Sequence, residues 1–143
     1  MTTPASFSVD HPRIVAAIRA AEKRTSGEVR VLVARRPTAD AVADAQRHFE
    51  RLAMTQTRER NGVLFFVAPR SRAFAVIGDT NIHARCGDSF WSDVAAAMTD
   101  HFRRGDFTGG LEHGIARAGA LLAHEFPRQS DDQNELPDEI EED

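Results

Sequence analysis

Two apolar runs joined by a short polar connection constrain this chain most. Residues 63–68 read Val-Leu-Phe-Phe-Val-Ala without interruption, the composition of a strand buried on both faces. Pro69 has no N–H to give to a ladder and closes the run. Residues 73–77 form a second apolar run, and so short a connection makes the pair an antiparallel hairpin. Gly62 and Gly78 punctuate its open end. Arg60, Asn61 and Asp79 are thereby gathered at one end of a sheet.

The rest of the chain arranges itself around this hairpin. Residues 1–9 read as a loose arm. Asp10 is a suitable N-cap, with Pro12 in the first turn, and Ile14, Ala17, Ile18 and Ala21 lie on one helical stripe. On that periodicity Glu22, Lys23 and Arg24 face away, and Gly27 ends the helix in the left-handed conformation. Glu28 to Ala34 alternates as a strand, with Val29, Val31 and Val33 on one face and Arg30 and Leu32 on the other. A second helix is capped by Thr38, with Asp40 at its positive end and Val42, Ala45, Phe49 and Leu52 as its buried stripe. Met54 to Glu59 reads as a polar return to the sheet. Strand, helix, strand makes the two strands parallel with a right-handed crossover.

After Asp79, residues 80–87 read as an irregular link with room for a short fourth strand or a helical turn. Asp88 or Ser89 caps a third helix, with Phe90, Val94, Ala97 and His101 facing inward, and Gly105 ends it. Thr108 opens a fourth helix with the stripe Leu111, Ile115, Gly119, Leu122 and Phe126, stopped by Pro127. Gly114, Ala118 and Gly119 allow a neighbour to approach closely. The expected architecture is α-β-α-β-β-α-α: a three-layer α/β/α sandwich on a mixed sheet of three or four strands, covering residues 10–127.

Charge is unevenly spread over the 143 residues. From Asp131 onward there are eight acidic side chains and no basic ones, whereas residues 1–130 carry 18 basic and 14 acidic. Residues 128–143 therefore read as a disordered acidic tail on a mildly basic body. The basic residues are dispersed and lack aromatic interleaving, so no nucleic-acid partner is expected. No apolar stretch reaches the length of a membrane span, and residues 1–9 lack the basic start and apolar core of a signal peptide. A cytoplasmic location without membrane insertion is expected. Walker, Rossmann, nucleophile-elbow and zinc-protease signatures are absent, and Cys86 is the lone cysteine.

Strand direction supplies the candidate site. With the first two strands parallel and the third antiparallel to them, Glu28, Arg60, Asn61 and Asp79 share one end of the sheet, and Asp88 follows close after. Carboxylates of Glu28, Asp79 and Asp88 with nearby helix C-terminal carbonyls suit a hard cation, calcium or magnesium. Arg60 offers the alternative of an internal cation that neutralises the carboxylates itself, by pairing with Glu28 or Asp79. No metal is assigned by default. Lesser candidates have ordinary structural readings: His83 and Cys86 as residues near a turn, His101 and His113 as helix residues that could meet, Asp106 as a turn residue, and Trp91 as a core aromatic with one exposed face.

Several segments together carry a family resemblance. They are Ala21-Glu22, Thr25-Ser26-Gly27-Glu28-Val29-Arg30-Val31, Arg60-Asn61-Gly62-Val63-Leu64, Ile77-Gly78-Asp79, Phe102-Arg103-Arg104-Gly105-Asp106-Phe107 and Gly110-Leu111. In this order and spacing the chain resembles the TPM-domain family, which takes in a thylakoid-lumen acid phosphatase, a photosystem II repair protein and a nematode receptor modulator. The resemblance spans roughly residues 10–127 and implies an α/β/α sandwich. It also implies phosphatase activity or calcium binding in some members. Arg60 stands where longer members tend to have an acidic residue, and Gly78-Asp79-Thr80 where they tend to have Gly-Tyr-Gly and an acid. The chain looks like a short, soluble, bacterial branch. The expected function is a non-catalytic interaction domain with a protein partner, serving a membrane-associated or stress-related complex. The alternative is a metal-dependent acid phosphatase or calcium-binding domain using Glu28, Asp79 and Asp88.

Overall fold

The computed structural model describes residues 9–128, 137 and 140–142. Helix α1 (His11–Glu22) starts where Asp10 accepts from the Arg13 N–H at 3.1 Å, with proline in its first turn. Strand β1 (Glu28–Val33), helix α2 (Ala41–Arg51) and strand β2 (Gly62–Ala68) follow as the expected βαβ unit. A single 3₁₀ turn at Pro69–Ser71 leads into β3 (Ala73–Gly78). Helices α3 (Thr80–Cys86), α4 (Ser89–Arg103) and α5 (Phe107–Glu125) complete the body, and β4 (Glu141–Glu142) is the last element.

The sheet order is β3-β2-β1-β4, with β2 parallel to β1, β3 antiparallel to β2, and β4 parallel to β1. Glu28 pairs with Gly62 and Val63 with Gly78, so the starts of β1 and β2 and the finish of β3 lie at one end of the sheet, as strand direction required. Side chains alternate across the pleat. Val29, Val31, Val33, Val63, Phe65 and Val67 join α1, α4 and α5 in one apolar cluster, and Leu32, Leu64, Phe66 and Ala75 join Ala45 and Phe49 of α2 in another. The result is a three-layer α/β/α sandwich on a mixed four-stranded sheet.

Small residues set how closely the α1, α4 and α5 layer packs. A Cβ on Gly114 would fall 2.5 Å from Cγ of Met98 in α4, and one on Gly119 would fall 2.8 Å from Cβ of Ala21 in α1. Neither distance is open to a real side chain, so these two glycines fix the interhelical spacing.

Several local readings are corrected. Glu22 does not face away: it is buried, and its Oε2 accepts from the Val29 N–H at 3.0 Å. Glu28 and Ala34 direct their N–H groups toward the β2 side. The Val29 N–H therefore points to the other edge, beyond the reach of β4, and needs this carboxylate. Gly27 has no positive φ; the chain turns instead through Thr25 and Ser26, whose N–H donates to Phe126 O at 2.9 Å. A Cβ on Gly27 would press on Leu122 Cδ1 at 3.2 Å, so space accounts for the residue.

Asp40, not Thr38, caps α2, accepting from the Ala43 N–H at 3.1 Å, while Thr38 bonds Asp44. Val42, in the first turn of α2, is 51% exposed rather than part of the buried stripe. The supposed polar return contains Met54 at 0% exposure, packed beneath Gly62. Residues 80–86 form a helix, and α5 starts at Phe107 with Asp106 as its cap, one residue before Thr108.

Part of the expected arm and tail is described. Val9 packs against the core, and Ile140 with β4 returns to the outer edge of β1. Residues 1–8, 129–136, 138, 139 and 143 lie outside the described residues.

Candidate functional site

The end of the sheet is built by one unusual backbone position. Arg60 sits at φ 53°, in the left-handed region that few non-glycine residues adopt. The turn is held because the Asn61 N–H donates to Thr57 Oγ1 at 3.2 Å, the Asn81 N–H donates to Arg60 O at 3.2 Å, and Asn81 Nδ2 donates to Glu59 O at 2.6 Å. The kink aims the Arg60 side chain across β2 toward the end of β3.

There it meets Asp79. Arg60 Nε donates to Oδ2 at 2.7 Å and Nη2 to Oδ1 at 2.8 Å, a two-pronged guanidinium–carboxylate pair. Asp79 Oδ1 also accepts from the Thr80 N–H at 2.7 Å, so the same carboxylate caps α3. The Asp79 side chain is 3% exposed and that of Arg60 46%. Hydrogen bonding to Asp79, and then its charge, hold the Arg60 guanidinium above its ordinary pKa. Of the two carboxylates expected as partners for Arg60, Asp79 is the one it takes.

Glu28 and Asn61 lie beside this pair. Glu28 is buried, and its N–H donates to Asn61 O at 3.3 Å. Asn61 is 1% exposed and its Nδ2 donates to Ser26 Oγ at 3.3 Å, while its Oδ1 has no hydrogen-bond partner among the described residues. Asp88 does not join them. Its side chain is 92% exposed at the start of α4, 3.4 Å from His83 Nε2. Among the described residues no three His, Cys, Asp or Glu side chains converge as a metal-binding group, so the expected triad of Glu28, Asp79 and Asp88 is not assembled. The physical reason is α3: seven helical residues separate Asp79 from Asp88, where an irregular link was expected to bring them together.

The chain belongs to the TPM-domain family. The family model for the TPM domain matches residues 8–121. The chain is similar to the BA42 protein of the psychrophilic bacterium Bizionia argentinensis, solved by NMR, at 38% identity and a TM-score of 0.88, covering 100% of this chain and 97% of that one. Two N-terminal domains share the fold at lower identity. One, from the Corynebacterium glutamicum protein cg2496, is 17% identical with a TM-score of 0.59, over 83% of this chain and 73% of that one. The other, from a P. gingivalis protein, is 19% identical with a TM-score of 0.63, over 80% of this chain and 75% of that one. No functionally curated protein matches this chain.

The lesser candidates of this TPM domain take structural places. His101 and His113 meet across the α4–α5 hairpin, with ring centroids 5.5 Å apart, and His101 Nδ1 lies 3.1 Å from Asp106 Oδ2. Trp91 is half-buried, edge-on to Phe90. Burial, reinforced by Glu125, pushes the Cys86 thiol up.

Two polar features escaped the sequence reading. A cleft of about 370 Å³ beside α2 is lined by Arg36, Arg47, His48 and Arg51 over Phe66. Arg30 is buried on β1 and donates from Nη2 to Glu141 Oε1 of β4 at 3.0 Å. The alternation of β1 placed Arg30 opposite the valine face, but nothing in the sequence marked residues 140–142 as its partner.

Proposed function

We propose that this TPM domain is a non-catalytic interaction domain for a protein partner, acting in the cytoplasm for a membrane-associated or stress-related complex. The observation that carries the reading is the occupation of Asp79. Both of its oxygens are engaged by the Arg60 fork, and one also receives the Thr80 N–H. A carboxylate committed in this way is a poor ligand for a divalent cation, because the guanidinium already supplies the positive charge that a metal would bring. Among the described residues no helix is long and apolar enough to cross a membrane.

The test is an activity screen with p-nitrophenyl phosphate, run with and without calcium or magnesium, on the parent and on Asp79→Asn. The expected result is no turnover by the parent above the variant. Metal-stimulated hydrolysis by the parent, abolished by Asp79→Asn, would replace this reading with that of a metal-dependent acid phosphatase.

A further inference from the structure

Strand β4 is only two residues long, yet it gathers two arginines and a histidine of the body. Its register with β1 sets Glu141 beside Leu32 and Glu142 beside Val33. Alternation sends Glu141 to the α2 face, where Arg30 Nη2 donates to it at 3.0 Å. It sends Ile140 and Glu142 to the α1 face. There Ile140 packs on the main core, and Glu142 receives Arg35 Nη2 at 2.7 Å and lies 2.9 Å from His11 Nε2. The edge of β1 thus reads a short pattern, apolar then acidic then acidic, by backbone pairing plus two oppositely directed charge pockets.

The occupant is weakly held and incompletely matched. Two ladder residues form less than a typical strand, and the Arg35–Glu142 pair is largely exposed, where ion pairs contribute little. The Arg30 side chain is 5% exposed, and its Nε has no hydrogen-bond partner among the described residues. A buried guanidinium with an unused donor favours an occupant that can offer a second acceptor.

We infer that the outer edge of β1, with Arg30, Arg35 and His11, is a docking site for an extended apolar-acidic-acidic segment of a protein partner, and that Ile140–Glu142 occupies it in cis until displaced. This is strand addition at a sheet edge, with main-chain pairing for affinity and alternate side chains for specificity. It rests on the interaction-domain reading and names the chemistry of the partner. The site is distant in topology from Asp79. It sits on the β1 side of the sheet near the finish of β1, whereas Asp79 follows β3 at the other end.

The experiment uses the full chain and a fluorescein-labelled peptide of residues 138–143 as the probe, followed by anisotropy. A tethered occupant competes at an effective concentration on the order of millimolar, so the parent binds the peptide weakly. The variant Glu141→Ala/Glu142→Ala removes the competing carboxylates and binds about tenfold or more tightly. Adding Arg30→Gln to that variant, which removes the buried guanidinium, reverses the gain. A peptide of the same composition with isoleucine moved to its end does not bind.

Equal affinity of parent and Glu141→Ala/Glu142→Ala overturns the inference, as does equal binding of the rearranged peptide, which would mean charge attraction alone. Light scattering that shows the parent as a dimer, and Glu141→Ala/Glu142→Ala as a monomer, overturns the assignment to a different partner. Phosphatase turnover dependent on Asp79 would refute the interaction-domain reading while leaving these peptide affinities unchanged, so the two failures are distinguishable.

Discussion

The contact between Gly119 of α5 and Ala21 of α1 gives a quantitative handle on the packing that holds α1 in place. A Cβ added at Gly119 would lie 2.8 Å from Ala21 Cβ and 3.2 Å from Ala21 Cα. Neither atom belongs to a side chain that can rotate away, so Gly119→Ala forces the two helices apart. Overpacking of this kind costs about 1–3 kcal/mol. Alanine is a better helix former than glycine by about 1 kcal/mol, which offsets part of the loss. The net expectation is a destabilisation of about 0–2 kcal/mol, a fall in Tm of up to about 8 °C. The single variant therefore tests the idea poorly, and the double-mutant cycle tests it well. Ala21→Gly creates the space that Gly119→Ala fills, and the two propensity changes cancel in the coupling energy. That coupling should be about 1–3 kcal/mol in favour of the double variant, close to the overpacking term itself. Urea unfolding of the four proteins, followed by fluorescence of the single tryptophan Trp91, measures it. A coupling within about 0.5 kcal/mol of zero would refute the argument that helix spacing is set by this contact.

Three further outcomes follow from the corrected positions. Met54→Ala should cost about 2–5 kcal/mol in the same urea assay, since the side chain is 0% exposed; a loss below about 1 kcal/mol would contradict its burial. Val42→Ser should stay within about 0.5 kcal/mol of the parent, because residue 42 is exposed, and a larger loss would restore it to the core. Asp106→Ala should cost about 1 kcal/mol as a lost N-cap. The Gly109 N–H, then His101, hold the Asp106 carboxyl below its ordinary pKa. Its contribution is therefore present above the unfolded value of about 3.9 and is lost as pH falls through the lower folded value, so parent and variant should converge in Tm only in strong acid.

The parts of the fold that repeat a period were legible in the sequence. The uninterrupted run 63–68 and the alternation of Val29, Val31 and Val33 fixed two strands and their faces, and chain direction then placed Glu28, Arg60 and Asp79 together. What escaped lies outside periodicity. Glu22 is buried because one N–H at a strand edge needs an acceptor, a requirement created by the tertiary fold and not by the helix it sits on. Thr38 and Asp40 are both good caps, and residue type alone did not decide between them. Helix α3 is too short to show a stripe, and its presence removes Asp88 from the site. The acidic composition of residues 128–143 hid β4, whose partners are His11 of α1 and Arg30 and Arg35 on and just after β1.

The central claim is that Arg60 takes the place of a cation at Asp79. Calorimetric titration with calcium of the parent and of Arg60→Asp tests it most directly. Aspartate tolerates the left-handed backbone at residue 60, removes the internal guanidinium and adds a hard oxygen ligand. The account predicts saturable calcium binding by Arg60→Asp, with a calcium-dependent rise in Tm, and neither in the parent at millimolar calcium. Saturable calcium binding by the parent, lost in Asp79→Asn, would contradict it.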